Sequence, residues 1–162
     1  MRKNIYDPTR ALVLLSGGQD SATALFWALQ KFEKVNAISF DYHQSHGKEI
    51  KYAAKLCDLT FTHQKVLNLT GLFDLTASAL TDKQQDVNDR HKSDPGLPAS
   101  FLPGRNMVFL SLAAAYAHTL GIVNIVTGVC QTDYSGYPDC RRVFIDSMQT
   151  SMTLALANTQ GP

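Results

Sequence analysis

Ser16-Gly17-Gly18-Gln19-Asp20-Ser21 is the stretch of this sequence that decides the fold. It follows the apolar run 11–15 and precedes a helical pattern that begins at Ser21. Five apolar residues in a row are typical of a strand that is buried on both faces of a parallel sheet. The stretch therefore predicts a strand, a glycine-rich turn and a helix, in that order.

The residue types of this turn suit phosphate. Gly17 and Gly18 permit a positive φ and let an anion approach the backbone closely, at the positive end of a helix. Ser16, Asp20 and Ser21 can cap the helix or offer oxygen ligands to phosphate and magnesium. The turn has no lysine and no G-x-G-x-x-G spacing, which excludes a Walker loop and a dinucleotide fingerprint. An ATP-consuming enzyme is the first hypothesis, and a turn that uses small residues only for its geometry is the alternative.

Length and composition predict one globular domain. The chain has 162 residues, of which 44% are hydrophobic, and this suits a single domain over 1–162. The formal net charge of +1 predicts no direct nucleic-acid partner. The sequence contains no apolar run of transmembrane length, and its first residues lack the apolar core of a signal peptide. We therefore expect a cytoplasmic protein without a membrane partner.

The cysteines do not form a recognisable framework. The sequence contains Cys57, Cys130 and Cys140 without a Cys-x-x-Cys motif. An odd number at wide spacing favours neither a disulfide scaffold nor a four-ligand zinc site within this chain. We expect Cys57 to pack in the core.

Apolar runs and helical patterns alternate along the chain. Strands are predicted at 11–15, 36–40, 63–67 and 122–127, and helices at 21–33, 47–57, 71–79, 105–119 and 140–157. This order predicts an α/β fold with an open, mainly parallel, Rossmann-like sheet and helices on both faces. Ligands of such sheets bind beyond the carboxyl ends of the strands, where the strand order reverses. The polar, proline- and glycine-rich segment 81–104 is predicted to be a long loop on the substrate side.

Four stretches carry a family resemblance. The hexapeptide 16–21 resembles the pyrophosphate loop of the ATP pyrophosphatase (PP-loop) superfamily, whose fold is of the adenine nucleotide alpha hydrolase type. Together with 40–46, 101–106 and 127–141, it makes the chain similar to the 7-cyano-7-deazaguanine synthase (QueC) family from about Ala11 to about Ala157. The string Thr-Asp-Tyr-Ser-Gly-Tyr-Pro-Asp-Cys-Arg within 127–141 is the most specific part of the resemblance.

The resemblance implies a reaction and its substrates. The family converts 7-carboxy-7-deazaguanine, ammonia and ATP, with Mg²⁺, into the nitrile preQ0, as an ATP-dependent carbon–nitrogen ligase. The carboxylate is activated by ATP and attacked by ammonia, and the resulting amide oxygen is activated in turn and lost. Two other functions stay open: a nucleotide-binding remnant without catalysis, and another PP-loop adenylating enzyme such as a tRNA thiolase.

The resemblance also implies site residues. Asp20, Ser21 and Arg105 are the implied catalytic residues. The implied ATP-binding residues are Leu15, Ser16, Gly17, Gly18, Gln19, Asp20, Ser21, Ala22, Thr23, Ala24, Leu25, Ile38 and Phe40. The implied substrate-binding residues are Arg105, Asn106, Asp133, Tyr134, Tyr137, Asp139 and Arg141. An ordinary turn at 134–138 and a solvated helix start at Arg141 are the alternatives. His43 and His46 resemble ligands in type, but two histidines without a third partner leave their role open.

The family's expected C-terminal part has no counterpart here. Members are expected to continue beyond the equivalent of Ala157 with a further strand, helices and a cysteine cluster that binds structural zinc, and the sequence contains none of those four zinc ligands. We expect a domain that is shortened relative to the family. A homodimer, a complementing C-terminal chain, a shortened enzyme and a catalytically impaired remnant all stay open.

Overall fold

The computed structural model describes residues 7–42, 48–69, 102–130 and 137–156. These residues form four strands and four helices: β1 (Asp7–Leu14), α1 (Gln19–Lys31), β2 (Lys34–Asp41), α2 (Lys48–Thr60), β3 (His63–Asn68), α3 (Arg105–Thr119), β4 (Ile122–Val126) and α4 (Arg142–Leu156). A 3-10 turn, Pro138–Cys140, precedes α4. The helix predicted at 71–79, most of the predicted loop 81–104, and both His43 and His46 lie outside the described residues.

The strands form one parallel sheet in the order β3-β2-β1-β4. This confirms the predicted α/β fold. The central position of β1 fits its sequence, because consecutive apolar residues are buried best between two strands and two layers of helices. Ala11, Leu12 and Val13 are all 0% exposed there.

Helices cover both faces of the sheet, as predicted. On one face, α3 packs over Leu12, Ile38 and Phe40, and the rings of Phe40 and Phe109 stack with centroids 4.3 Å apart. On the other face, α1 and α2 enclose Val13. Helix α4 packs against α3 and contains no buried residue.

Most boundaries differ from the predicted ones by a few residues, and two of the differences have a clear physical reason. β1 begins at Asp7 instead of residue 11, because polar residues there still pair with the sheet: the N–H of Asp7 donates to the carbonyl of Gly121 at 2.9 Å. The side-chain amide of Asn124 donates to the carbonyls of Pro8 and Arg10, both at 2.9 Å, across the register shift between Asp7 and Ala11. The last helix was predicted to begin at residue 140, which is wrong, because the 3-10 turn occupies that position.

Candidate functional site

The candidate site lies where the strand order reverses. Because β1 sits between β2 and β4, the loops that follow β1 and β4 meet at the carboxyl edge of the sheet. A Cβ at Gly128, in the loop after β4, would lie 2.5 Å from the backbone oxygen of Asp20, in the first turn of α1. The two loops therefore touch through backbone, and only glycine fits at position 128.

Serine hydroxyls shape the loop after β1 from within. The Ser21 hydroxyl accepts hydrogen bonds from the N–H of Gly17 and from the Ser16 hydroxyl, both at 3.1 Å, and donates to the carbonyl of Gly18 at 2.9 Å. The N–H of Gly18 donates in turn to the Ser16 hydroxyl at 3.3 Å. The Ser21 side chain, 8% exposed, therefore holds the turn closed in this conformation.

Gly17 allows this loop to rest against α2. It has a φ of +97°, which favours glycine, and a Cβ there would overlap the backbone oxygen of Glu49 and lie 2.9 Å from the nitrogen of Ala53. The loop is thus packed between the N-terminal parts of α1 and α2.

The first turn of α1 leaves its backbone donors available. Gly18 is the N-cap and makes no side-chain capping bond, so the predicted cap by Ser16, Asp20 or Ser21 does not form. Within the described part of the chain, the backbone N–H groups of Gln19, Asp20 and Ser21 have no hydrogen-bond acceptor. Unpaired N–H groups at a helix N-terminus, with the positive end of the helix dipole behind them, suit an anion such as phosphate.

The point where the chain leaves β1 is held by β2. The N–H of Leu15 donates to the carbonyl of Ile38 at 2.9 Å, and the hydroxyl of Ser39 donates to the carbonyl of Leu15 at 2.6 Å. Sequence reasoning missed Ser39. The available signal was a polar residue inside the otherwise apolar stretch 37–40.

A second group of predicted residues meets at the start of α3. The Arg105 guanidinium lies over the Tyr137 ring, 5.6 Å from its centroid. The Asp139 carboxylate accepts a hydrogen bond from the N–H of Asn106 at 3.0 Å, and the Asn106 amide donates to the carbonyl of Asp139 at 3.1 Å. These contacts join two segments that the sequence separates by about thirty residues.

A cleft with a volume of 1190 Å³ runs along β4 between α1 and α4. Its polar lining residues include Asp20, Thr23 and Arg142, and Gly128 also lines it. The guanidinium of Arg142 forms an exposed ion pair with Asp146 at 2.7 Å. Its apolar lining residues include Trp27, Phe32, Ile125, Val126, Ile145, Met152 and Leu156.

The remaining predicted residues fall into three groups. The side chains of Ala24, Leu25, Ile38 and Phe40 belong to the two cores. Ala22 is half-buried, the Thr23 hydroxyl donates to the carbonyl of Gln19 at 3.0 Å, and Arg141 is exposed. Asp133 and Tyr134 lie outside the described residues. The ligand roles of all of these residues stay predictions.

Two further findings concern metals and membranes. Nowhere in residues 7–42, 48–69, 102–130 and 137–156 do three His, Cys, Asp or Glu side chains gather as a metal site would require. None of the helices in those same ranges combines the length and the apolar character needed to cross a membrane.

A solved structure shares this fold. It is described as a predicted subunit of tRNA methyltransferase from Methanocaldococcus jannaschii, and it aligns with 89% of this chain and 64% of its own chain, with a TM-score of 0.55 and 16% identity. At that identity, the similarity concerns the fold alone.

Sequence comparison identifies the family. The chain is 44% identical over 153 residues to the 7-cyano-7-deazaguanine synthase of Laribacter hongkongensis, which covers 94% of this chain and 67% of the relative. It is 43% identical over 150 residues to the enzyme of the same name from Lysinibacillus sphaericus, which covers 93% of this chain and 68% of the relative. The chain thus spans about two thirds of the length of these relatives. The family model described as queuosine biosynthesis protein QueC matches residues 10–161, and the chain belongs to this family.

Proposed function

We propose that this protein converts 7-carboxy-7-deazaguanine and ammonia into 7-cyano-7-deazaguanine, with ATP as the activating substrate, in queuosine biosynthesis. The observation that carries the proposal is the loop after β1, whose helix-start N–H groups are unpaired among the described residues and lie where the strand order reverses. The names of its relatives supply the product, 7-cyano-7-deazaguanine, and the family resemblance implies the substrate. On this proposal the protein is an ATP-dependent carbon–nitrogen ligase that acts in the cytoplasm.

The first turn of α1 would bind the phosphates. The N–H groups of Gln19, Asp20 and Ser21 would donate to phosphate oxygens, and the adjacent loop leaves room for an anion, since a Cβ at Gly18 would meet only the Ser16 hydroxyl oxygen, at 3.5 Å. Asp20 is exposed at the cleft and would contribute one carboxylate to Mg²⁺. One protein carboxylate is enough where phosphate oxygens and water complete the coordination of magnesium.

The start of α3 would bind the deazaguanine carboxylate. A guanidinium binds a carboxylate through two parallel N–H bonds, and Arg105 is half-buried beside the Tyr137 ring. Asp139 and Asn106 would act by holding the Tyr137 segment against α3. A carboxylate is a poor electrophile, so ATP would convert its oxygen into a leaving group before ammonia adds.

The direct test is product formation. The purified chain is incubated with ATP, Mg²⁺, ammonium and 7-carboxy-7-deazaguanine, and the amide and nitrile are followed by mass spectrometry. Asp20→Ala is expected to lower the rate about 100-fold, which is the usual effect of removing one group that stabilises developing charge. Glu33→Ala removes an exposed acid just beyond the other end of α1 and is the matched control. Unchanged activity in Asp20→Ala would contradict the assignment of the loop.

The β4 edge supports a proposal about a partner. In the described residues β4 pairs only with β1, and its outer side faces the apolar walls of the cleft formed by α1 and α4. Trp27 is 47% exposed and Val123 is 53% exposed there. Open apolar edges of parallel sheets are normally covered. We propose that a complementing C-terminal chain adds a parallel strand at this edge.

Co-expression tests this partner. The part of the Laribacter hongkongensis relative that this chain does not match is produced together with this chain, and the mixture is analysed by size-exclusion chromatography with light scattering. A 1:1 complex with slower hydrogen exchange in β4 is expected. A homodimer with the same protection in β4, or a monomer that is unchanged by the fragment, would overturn the proposal. Val123→Glu should prevent formation of the complex. Leu59→Glu, at an exposed position of α2, should not.

A further inference from the structure

A hydrogen-bond chain links two strands, β3 and β2, to the phosphate-binding loop. The side-chain N–H of Gln64, on β3, donates to the hydroxyl oxygen of Ser39, on β2, at 2.7 Å. The Ser39 hydroxyl donates to the carbonyl of Leu15, just beyond β1, at 2.6 Å. These hydrogen bonds can affect the conformation of the turn 16–18 without any contact to a ligand, because Leu15 is the last residue before that turn.

The direction of this chain follows from its chemistry. An amide NH₂ group only donates, so the Ser39 oxygen accepts from Gln64. The single hydroxyl proton of Ser39 is then committed to the carbonyl of Leu15. Gln64 therefore orients the hydroxyl, and the hydroxyl acts on the loop.

The site is buried, which makes the contact specific. Ser39 and Leu15 are each 1% exposed, so neither the hydroxyl nor the carbonyl has water as an alternative partner. The regular strand pairing between β1 and β2 ends at Leu14 and Ile38. The Ser39 hydroxyl thus donates to the carbonyl of Leu15, the first carbonyl beyond this strand pairing. It takes the place of a backbone N–H of β2.

We propose that Ser39, oriented by Gln64, is a positioning residue for the phosphate-binding loop. It fixes the peptide from which the turn departs, and so sets where the helix-start N–H groups lie relative to β1. Loss of the Ser39 hydroxyl leaves a buried carbonyl without a donor, and the turn shifts to find one. The inference rests on the proposed function, since it concerns the affinity of this loop for ATP.

The test measures ATP affinity apart from turnover. Binding of the α,β-methylene analogue of ATP with Mg²⁺ is measured by calorimetry for the whole chain, since this analogue cannot transfer its AMP group to a substrate. Ser39→Ala is expected to weaken binding about tenfold, and Gln64→Leu about threefold. The double variant should bind like Ser39→Ala alone, because Gln64 acts only through Ser39. Ser39→Thr retains the hydroxyl and should recover most of the affinity.

The control separates positioning from general destabilisation. Ile122→Val removes a buried methyl group at the opposite edge of the sheet, and its unfolding midpoint is compared with that of Ser39→Ala. It should bind the analogue as the unchanged protein does. Equal affinity in Ser39→Ala and the unchanged protein, or additive losses in the double variant, would overturn the inference. Absence of binding by the unchanged protein would contradict the proposed function instead.

Discussion

The carboxylate of Asp139 accepts a hydrogen bond from the backbone N–H of Asn106, at 3.0 Å. Asp139 is 7% exposed and lies in the 3-10 turn that precedes α4, whereas Asn106 lies in the first turn of α3. The residue thus supplies a helix cap from a distant part of the chain. Its position explains how a residue beside the candidate substrate segment also stabilises the fold.

Removing this cap should destabilise the protein. Asp139→Ala is expected to lower the free energy of unfolding by about 1 kcal/mol, the usual effect of losing a capping side chain. Asp139→Asn keeps an acceptor oxygen and should lower it by less. Urea unfolding followed by circular dichroism measures both. Equal losses in the two variants would show that the hydrogen bond is not the source of the stability.

Glycine 128 should tolerate no side chain. Gly128→Ala places a Cβ 2.5 Å from the Asp20 backbone oxygen, so α1 and the loop after β4 must separate. We expect a loss of about 1–3 kcal/mol of unfolding free energy from this overpacking, together with weaker nucleotide binding. Gly18→Ala is the matched control, since its Cβ would meet only the Ser16 oxygen at 3.5 Å. Thermal unfolding should give a lower midpoint for Gly128→Ala than for Gly18→Ala. Similar midpoints would contradict the close approach of Gly128 to the Asp20 backbone.

Replacing Phe61 should stabilise the protein. Phe61 follows α2 with a φ of +52°, and the N–H of Thr62 donates to the carbonyl of Cys57 at 2.9 Å, the hydrogen bond of a helix end that normally uses glycine. The Phe61 side chain is 98% exposed, so its removal loses no packing. Phe61→Gly is expected to raise the unfolding free energy by about 1 kcal/mol. Leu59→Gly, inside the same helix, should lower it by about 1 kcal/mol.

These two glycine variants have opposite expected signs, and chemical denaturation reports both on one scale. A decrease in stability for Phe61→Gly would mean that the left-handed conformation at position 61 imposes no strain.

Cys57 should make stability depend on pH in the alkaline range. Burial, with a smaller contribution from the Asp58 charge, raises the pKa of the Cys57 thiol from 9.0 to about 11. The folded protein therefore holds this proton more tightly than the unfolded chain. The contribution of this group to the unfolding free energy is complete below pH 9 and is lost as the pH rises towards 11.

The measurement compares unfolding free energies between pH 8 and pH 11 in the unchanged protein and in Cys57→Ala. The slope attributable to Cys57 should be absent from the variant. In a thiol-modification assay at pH 8, Cys57 should react far more slowly than the exposed Cys130. Rapid modification of Cys57 in the folded protein would contradict this assignment.

The sheet could be predicted because its signal is local. The run 11–15 contains five apolar residues, and the turn 16–18 that follows contains the residue types that a strand-to-helix connection needs. The polar residue Asp7 gave no such signal, because its place in β1 depends on pairing with Ile122 across the sheet. Local periodicity cannot reveal a contact between residues so far apart in the sequence as Asp7 and Ile122.

The structure brings several of the predicted site residues together, and their ligand roles stay predictions. Ser21 was expected to hold phosphate, and in this structure its hydroxyl closes the turn on itself. Asp139 was expected at the substrate, and its carboxylate caps α3. Ser39 went unnoticed because its partner, the carbonyl of Leu15, lies just beyond the end of another strand, β1. Residue types can indicate a ligand, but only the tertiary contacts decide which donors are already occupied.

The central place of β1 has a consequence for local opening. Its amides are paired on both sides by β2 and β4, and Ala11 to Val13 are fully buried, so their hydrogen exchange should require unfolding of the whole domain. Ser16, which is exposed, follows directly after Leu15. The boundary between amides that exchange through global unfolding and amides that exchange through local fluctuation should therefore lie within one or two peptide bonds. The turn can rearrange around a ligand while its point of attachment stays fixed.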